Sequence, residues 1–393
     1  MPAALIYVQH LLGIGHLMRA RRIAEALAEA GFAVHLVSGG MPPGGRAPLD
    51  VQVLQLPPIY AADATLKPLL DARGQPVDEA YRRERRDLLL AAFEAAAPAV
   101  VIFETYPFGR RALRFEIVPL LERIHAIRPR PIVIASVRDI LQVRSKEGRE
   151  QEMLEAANRW FDAVLVHGDR RFARLDETFA LTASLRPRVH YTGFVANRVE
   201  NLSTSEGERR EVIVSAGGGA VGTEMLATAL AARPLSRFGR LPWRVLVGTN
   251  VADADFRRLQ QEASGSAEGS VVVERARPDF AALLRQSLIS VSQAGYNTTI
   301  DVCTSGARGV FVPFAANGET EQLARARRLR QLDLGVVVED VERSPTMLAA
   351  AIDAAGSKER WGRWQFDCDG AERSAALVAE MCGISLSHAR DPA

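Results

Sequence analysis

Short apolar runs alternate along the chain with segments in which apolar residues recur at helical spacing, and this alternation predicts an α/β fold. The first run, residues 4–8, leads into a glycine turn, and a helical pattern then continues to Gly31. Residues 34–37 form the next apolar run. A strand, a glycine turn, a helix and a second strand make a βαβ unit, whose parallel strands are normally covered on both faces.

The apolar runs fall into two series, and each begins with a strand that leads into a glycine turn and a helix. The further runs of the first series that favour strands are 51–56, 99–103, 132–136, 163–167 and 189–192. The runs of the second series are 212–215, 244–247, 271–274, 288–291, 309–312 and 335–338. A polar stretch between the series, residues 194–211, has the composition of a linker.

The two series predict two doubly wound, Rossmann-like domains that face each other across a cleft. We place the first domain at residues 1–200 and the second at 208–365, with residues 366–393 as a C-terminal helix and tail that packs back on the first. Ligands of such sheets bind beyond the carboxyl ends of the strands. Residues 57–78, rich in proline, are long for a connection and favour a lid or a substrate-binding flap.

Composition narrows the class of protein. The 393 residues are 48% hydrophobic and 24% charged, which excludes a disordered polymer. The 49 basic and 47 acidic residues leave a net charge of +2, which is not typical of a protein that binds nucleic acid. Three cysteines lack the spacing of a disulfide framework or a zinc site. No leader and no membrane-spanning run is recognisable, so we predict a cytoplasmic protein.

A glycine turn follows the first strand of each series. Gly13 and Gly15 open like a dinucleotide fingerprint, but Met18 stands where the third glycine belongs, so we expect no NAD site there. Residues 217–222 do satisfy the G-x-G-x-x-G pattern between a strand and a helix. Bare N–H groups at a helix N-terminus suit a phosphate, which leaves two interpretations: a diphosphate contact or a tight turn without a ligand.

His16 stands at the start of the helix that follows the first glycine turn. A helix N-terminus disfavours positive charge, so this imidazole should stay neutral and able to accept a proton. The alternative is a capping or packing histidine. His10, His35 and His167 end or lie in strands and are expected to be structural. Two Asp-x-Asp pairs lie where helix caps are expected, and we predict no metal site.

Two blocks of the second series carry a family resemblance. Residues 292–301, SQAGYNTTID, follow a predicted strand and open a helix, and residues 313–322, PFAANGETEQ, follow the next strand. Together with the turn from Gly13 to His16, they resemble the GT-B glycosyltransferases of family 28, which includes the N-acetylglucosaminyltransferase of lipid-linked peptidoglycan precursor synthesis. The resemblance implies a GT-B architecture and a nucleotide-sugar donor, UDP-linked, bound by the second domain.

The resemblance also implies roles for single residues. Asp301 takes the acidic position that binds the ribose hydroxyls, where the family usually has glutamate. Glu321 and Gln322 would hold the sugar hydroxyls, with an acid in place of the family's first amide. The other implied donor-binding residues are Gly217, Gly218, Gly219, Ala294, Gly295, Asn297 and Thr298 at the diphosphate, Arg277 and Phe280 at the base, and Glu319. Gly13 and Gly15 would form a phosphate turn near the acceptor. The alternative for Asn297, Asp301 and Gln322 is helix capping and a solvated helix face.

The predicted activity is transfer of a sugar from the donor to an acceptor hydroxyl with inversion, without a metal or another cofactor. His16 would remove the acceptor proton; if it does not, Glu104 or Asp139 is the next candidate. Residues 13–19 also resemble the first motif of a UDP-sugar hydrolase from the pseudaminic acid pathway, and this hydrolase is the nearest alternative. A nucleotide-sugar 2-epimerase and a non-catalytic sugar-nucleotide-binding subunit are the others.

A run of basic residues, 82–86, allows two interpretations. It could seat on an anionic membrane, which would suit a lipid-linked acceptor and a peripheral location. Alternatively it belongs to a helix that buries Leu89, Leu90 and Phe93 and keeps its arginines in water.

Overall fold

The computed structural model describes residues 1–42, 50–61, 68–143, 147–196, 209–217, 222–264, 270–315, 318–339, 344–358, 361–362 and 364–384. The chain divides into two compact units, one formed by Met1–Ala196 and Asp367–Ala393 and the other by Asn197–Phe366. Most of the predicted linker lies outside the described residues, as do Gly218 and Gly219.

The first unit is built on a parallel sheet. The strands of this unit are β1 (Ala3–Val8), β2 (Ala33–Ser38), β3 (Val51–Gln55), β4 (Ile59–Ala61), β5 (Leu69–Asp71), β6 (Val100–Glu104), β7 (Ile132–Arg138), β8 (Ala163–His167) and β9 (Arg188–Tyr191), of which β4 and β5 form a separate pair. The helices before the second unit are α1 (Gly15–Glu29), α2 (Glu79–Ala96), α3 (Arg114–Ala126) and α4 (Arg149–Trp160). The sheet order is β3-β2-β1-β6-β7-β8-β9.

The second unit repeats the plan. Its strands are β10 (Glu211–Ser215), β11 (Trp243–Val247), β12 (Val271–Arg275), β13 (Ser287–Ser292), β14 (Arg308–Phe311) and β15 (Val336–Val337). Its helices are α5 (Thr223–Ala232), α6 (Asp253–Ser264), α7 (Phe280–Gln286), α8 (Tyr296–Ser305), α9 (Glu321–Gln331) and α10 (Pro345–Ser357). The sheet order is β12-β11-β10-β13-β14-β15, all parallel. The α/β class with two parallel sheets in two domains is therefore confirmed.

Burial on both faces of the first sheet explains why its strands are visible as apolar runs. Every residue of β6 and β8 is buried. One face packs against α1 and against α11 (Gly370–Met381), which belongs to the first unit, and the other face packs against α2 and α3. Helix α1 buries the apolar stripe that its sequence shows, and the chain leaves it through Gly31 at φ +88°.

The region predicted as a lid contains a small hairpin. Strands β4 and β5 pair antiparallel, and residues 62–67 between them lie outside the described residues. Strands of three residues are too short to show a periodicity, so the pattern of the sequence did not predict them.

Candidate active site

The strand order gives each sheet a switch point, where the chain passes from one side of the first strand to the other. In the first sheet β1 lies between β2 and β6, and in the second sheet β10 lies between β11 and β13. Loops diverge at such a point, and ligands of doubly wound domains bind there, beyond the carboxyl ends of the strands. His16 follows β1 and residues 292–301 follow β13, so each candidate lies at the switch point of its own sheet.

In the first unit, the switch point brings His16 to Glu104. His16 is the second residue of α1, and Glu104 ends β6, the neighbour of β1. The Nδ1 atom of His16 lies 2.9 Å from Oε1 of Glu104 and 3.1 Å from Oγ1 of Thr105. Arg19, one turn along α1, forms an ion pair with the same carboxylate oxygen. The fold thus joins two residues 88 positions apart in the sequence.

Glu104 is ionised although it is buried. Its side chain is 1% exposed, and burial by itself raises the pKa of a carboxyl group. The Arg19 charge and the hydrogen bonds from His16 and Ser136 outweigh burial and hold the pKa of Glu104 well below its ordinary value. An ionised carboxylate can only accept hydrogen bonds, so His16 carries its proton on Nδ1.

That tautomer makes Nε2 of His16 the proton acceptor. Among the described residues, the polar contacts of His16 all involve Nδ1. Burial, reinforced by the charges of Arg110 and Arg138, holds the pKa of His16 well below its ordinary value, although Glu104 acts in the opposite direction. The ring is therefore neutral at neutral pH, and its side chain keeps 11% of its surface exposed. A neutral, oriented imidazole of this kind is suited to general base catalysis.

Thr105, which no sequence pattern singled out, has an unusual backbone. Its φ is +72°, in the left-handed region that is costly for a β-branched residue. Its amide donates to the carbonyl of Ser136 at 2.8 Å, and its hydroxyl lies 3.2 Å from Oε1 of Glu104. Backbone strain of this kind concentrates at functional sites.

In the second unit, the glycine turn after β10 touches the segment after β13. Gly217 has φ +80°, and its amide donates to Oγ of Ser215 at 3.2 Å. Gly222 has φ +102°, and a β-carbon there would lie 2.5 Å from the side chain of Ala216 and 2.7 Å from the amide nitrogen of Gln293. Only glycine fits this position. Gly218 and Gly219 lie outside the described residues.

The block SQAGYNTTID begins at the end of β13 and leads into α8. Ala294 is fully buried, and Gly295 is the N-cap residue with φ −66° and ψ 152°. A β-carbon at Gly295 would meet no described atom within 4 Å. The N-cap residue has no side chain to cap the helix, and Asn297 and Thr298 are half-buried in its first turn. Asp301, also half-buried, lies one turn further along.

Glu321, predicted to bind sugar hydroxyls, is buried in an ion pair at the start of α9. Its side chain is 2% exposed and forms an ion pair of 2.8 Å with Arg325, which is 1% exposed. Arg325 also donates to the carbonyl of Ala294 at 2.9 Å. This ion pair links the Glu321 carboxylate to the turn before α8 through Arg325, and the binding of sugar hydroxyls by Glu321 stays a prediction. Only the spacing of four residues on a helix could have indicated this pair.

The other predicted donor-binding residues are distributed around the same edge of the sheet. Gln322 accepts from the backbone amide of Phe314 at 3.1 Å and so ties α9 to the loop after β14. Glu319 is half-buried and accepts from the amide of Glu321 at 3.0 Å. Arg277, exposed after β12, forms two hydrogen bonds with Asp279, and Phe280 begins α7.

The basic run of α2 departs from the expectation that its arginines lie in water. Leu89 and Phe93 are in the core and Leu90 is partly buried, but Arg85 is also fully buried. Its guanidinium binds Glu116 of α3, with Nε 2.8 Å from Oε2, and lies 2.9 Å from Oε1 of Gln9. Arg85 is therefore not available to a membrane surface, because it ties α2, α3 and the end of β1 together.

The second unit contains a segment that matches the model of a known protein family. Residues 245–360 match the model of the glycosyltransferase family 28 C-terminal domain. The second unit therefore contains a segment similar to the family 28 C-terminal domain. The matched segment begins within β11 and includes the segments after β13 and β14. The resemblance to family 28 is therefore confirmed. It rests on a part of the chain that includes β13 and the block SQAGYNTTID.

Curated relatives of this chain are UDP-N-acetylglucosamine–N-acetylmuramyl-(pentapeptide) pyrophosphoryl-undecaprenol N-acetylglucosamine transferases. The protein of Thermotoga petrophila is 29% identical over 74 residues, 19% of this chain and 22% of that protein. The protein of Rhodopseudomonas palustris is 28% identical over 189 residues, 46% of this chain and 49% of that protein. The matched segments thus span from about a fifth to about half of the length of these relatives.

Solved structures show that the whole chain has the GT-B fold. The MurG protein of Acinetobacter baumannii superposes with a TM-score of 0.55 at 14% identity, covering 97% of this chain and 100% of that one. A UDP-glucosyltransferase from Polygonum tinctorium superposes with a TM-score of 0.59 at 14% identity, covering 98% of this chain and 100% of that one. At this level of identity the likeness establishes the fold alone.

The described residues offer neither a membrane-spanning helix nor a metal-binding cluster. None of the described helices combines the length and the apolar character needed to cross a bilayer. Within the same part of the chain, no three His, Cys, Asp or Glu side chains are grouped so that they could hold a metal ion.

Proposed function

We propose that the protein transfers a sugar from a UDP-sugar to an acceptor hydroxyl, with inversion at the anomeric carbon and without a metal. The observation that carries the proposal is the oriented His16, whose Nδ1 is held by an ionised Glu104 while Nε2 remains to accept a proton. The family 28 match supports a nucleotide-sugar donor, and the UDP-sugar in the names of the relatives supports UDP.

In the proposed step, Nε2 of His16 takes the proton of the acceptor hydroxyl. The acceptor oxygen forms a bond to the anomeric carbon while the bond from that carbon to the diphosphate oxygen breaks. The electron pair of that bond leaves with UDP, and the attack from the opposite face inverts the configuration. Glu104 stabilises the imidazolium that forms, because its negative charge favours the protonated ring.

The donor would bind at the carboxyl edge of the second sheet. The N-terminus of α8, at Gly295, would offer backbone amides and a helix dipole to the negative charge that develops on the leaving diphosphate. Asp301 would accept hydrogen bonds from the ribose hydroxyls, and Arg277 and Phe280 would contact the base. In this scheme Gly13 and Gly15 would form a turn that binds phosphate near the acceptor.

Two experiments test the proposal. Calorimetric titration of UDP into the wild type should show binding tighter than the millimolar range and a clear loss in Asp301→Ala. Transfer to a panel of acceptors, followed by mass detection, should disappear in His16→Ala while UDP affinity is retained. Absence of UDP binding in the wild type, or full transfer activity in His16→Ala, would contradict the proposal.

The same assays separate the alternatives. Rapid release of free sugar from UDP-sugars without acceptor would favour the hydrolase, and interconversion of donors without release of UDP would favour the epimerase. UDP binding without turnover would favour a non-catalytic subunit. The acceptor and the location, cytoplasmic with or without peripheral membrane contact, stay predictions.

A further inference from the structure

A chain of buried polar side chains continues from Glu104 across three more strands of the first sheet, away from His16. Oγ of Ser136 lies 2.6 Å from Oε2 of Glu104 and 2.9 Å from Nε2 of His167. Nδ1 of His167 in turn lies 2.9 Å from Oγ1 of Thr192. Ser136 is 1% exposed, and His167 and Thr192 are fully buried. Ordinary core packing does not need such residues, since each is costly to bury unless it is hydrogen-bonded.

The geometry of the sheet explains why these side chains meet. Residues two apart on a strand point to the same face, and Ile102, Ile134 and Leu165 form part of the core beneath α1 and α11. Two positions further along β6, β7 and β8, the same face carries Glu104, Ser136 and His167. Glu104 and Ser136 are direct partners in the register of β6 and β7. A polar layer therefore replaces the apolar one at the carboxyl edge of the sheet.

The ionised carboxylate fixes the direction of the hydrogen bonds from Glu104 through Ser136 to His167. Glu104 can only accept, so Ser136 donates its hydroxyl proton to Oε2. Oγ of Ser136 then accepts from His167, which must carry its proton on Nε2; Nδ1 of His167 lies 2.9 Å from Oγ1 of Thr192, a hydroxyl that also lies 3.0 Å from the carbonyl oxygen of Gly193 and can donate to it. Burial lowers the pKa of His167 to about 3, so the ring stays neutral and the pattern does not change near neutral pH.

We propose that Ser136 and His167 are positioning residues that hold Glu104 in the one orientation that fixes the tautomer of His16. With Oε2 held by Ser136, Oε1 is the oxygen that faces the imidazole. His167 donates its Nε2 proton to Oγ of Ser136. The Ser136 hydroxyl proton then points to Glu104 rather than to His167. The inference rests on the proposed role of His16 and extends it to two residues that do not touch substrate.

The charges around the chain set the expected direction of the effect. Burial and the charges of Arg110 and Arg138 disfavour protonation of His16, and Glu104 favours it. The guanidinium of Arg19 lies 3.2 Å from Nδ1 of His16, and at His167 the charged neighbours are Arg19 and Glu104. Loss of the Ser136 hydroxyl removes one donor from Glu104. The negative charge of Glu104 is then compensated by fewer hydrogen-bond donors. It should therefore stabilise protonated His16 more strongly and raise the pKa of that ring.

The test is an NMR titration of the full chain labelled with ¹⁵N-histidine, without substrates. In the wild type, His16 should show a proton on Nδ1 and His167 a proton on Nε2. Ser136→Ala, which removes a hydrogen bond to the charged Glu104, should raise the proton affinity of His16 by about threefold or more. His167→Leu, which removes the hydrogen-bond partner of Ser136, should shift it in the same direction. Ser136→Thr, which keeps the hydroxyl, and His167→Gln, which keeps a donor, should restore the wild-type titration.

Ser38→Ala is the matched control. Ser38 is 2% exposed at the end of β2, and its hydroxyl has no hydrogen-bond partner among the described residues. This variant should leave His16 unchanged. If His167→Leu does not fold, Ser136→Ala, which removes a single oxygen atom, decides the question. An unchanged His16 tautomer and titration in folded Ser136→Ala would overturn the proposal.

The kinetics of transfer give a second measurement, and kcat would not change if Ser136 only stabilised the fold. Transfer by Ser136→Ala should show kcat lowered about tenfold, with KM for the UDP-sugar within twofold of wild type. A wild type that transfers no sugar but whose His16 responds to Ser136→Ala would count against the proposed function and for the positioning role. If the wild type transfers sugar but the His16 titration is the same in Ser136→Ala and His167→Leu as in the wild type, the positioning role alone would be overturned.

Discussion

Replacing Glu104 by Gln should destabilise the first unit strongly, because the substitution removes the carboxylate that neutralises the Arg19 charge. The two side chains are 1% and 2% exposed, so water cannot take over that role. Removing one partner of a buried ion pair costs about 3–5 kcal/mol. For a unit of this size each kcal/mol lowers the melting temperature by about 2–4 °C, so the expected loss is about 6–20 °C.

The dependence of this effect on pH follows from the lowered pKa of Glu104. A carboxylate whose pKa is lower in the folded than in the unfolded state adds stability that is fully present above its unfolded value. That contribution declines as the pH falls below about 4.5, the ordinary value, because the unfolded chain then binds the proton first. The difference between wild type and Glu104→Gln should therefore be full at pH 7 and smaller at pH 4.

Thermal unfolding followed by circular dichroism between pH 8 and pH 4 measures both effects. Glu152→Gln is the control, since it breaks an exposed pair with Arg111 and should change the melting temperature little. The double variant Arg19→Met, Glu104→Gln removes both buried charges and should recover most of the loss. A loss below about 1 kcal/mol at pH 7, or one that is equal at pH 7 and pH 4, would refute the ionised buried pair.

Three further predictions concern the pH profile and the second unit. Because burial lowers the pKa of His16, kcat/KM for transfer should stay level from pH 8 to below pH 6.5, and an acidic limb centred above pH 7 would contradict this. Arg325→Met should weaken UDP binding in calorimetry about fivefold, since the turn before α8 loses a donor, while Arg327→Met, exposed on the same helix, should bind like wild type. Gly222→Ala should lower the melting temperature more than Gly148→Ala, because both have positive φ but only the first would place a β-carbon against other side chains; equal losses would count against this.

The strands of the parallel sheets were predictable because they are apolar on both faces. The predicted strand at 163–167 coincides with β8, and the neighbouring runs differ from the observed strands only at their ends. The hairpin of β4 and β5 was missed because its strands are three residues long, too short to show a periodicity.

Charged residues on helices were the least predictable. Arg85 and Glu321 both stand in segments that read as polar helix surface, yet both are buried in ion pairs with partners on a helix. Whether such a residue faces water or the core depends on which neighbour lies opposite, and hydropathy alone treats every charged residue as exposed.

The sequence by itself determined the α/β class, the two βαβ series, the glycine turns and the position of His16 at a helix start, because these follow from residues that are neighbours in the chain. Tertiary structure alone decided that Glu104, Arg19, Ser136 and His167 meet at one edge of the first sheet. That meeting depends on the order of the strands, and only burial together with a fixed partner makes Glu104 charged and His16 neutral.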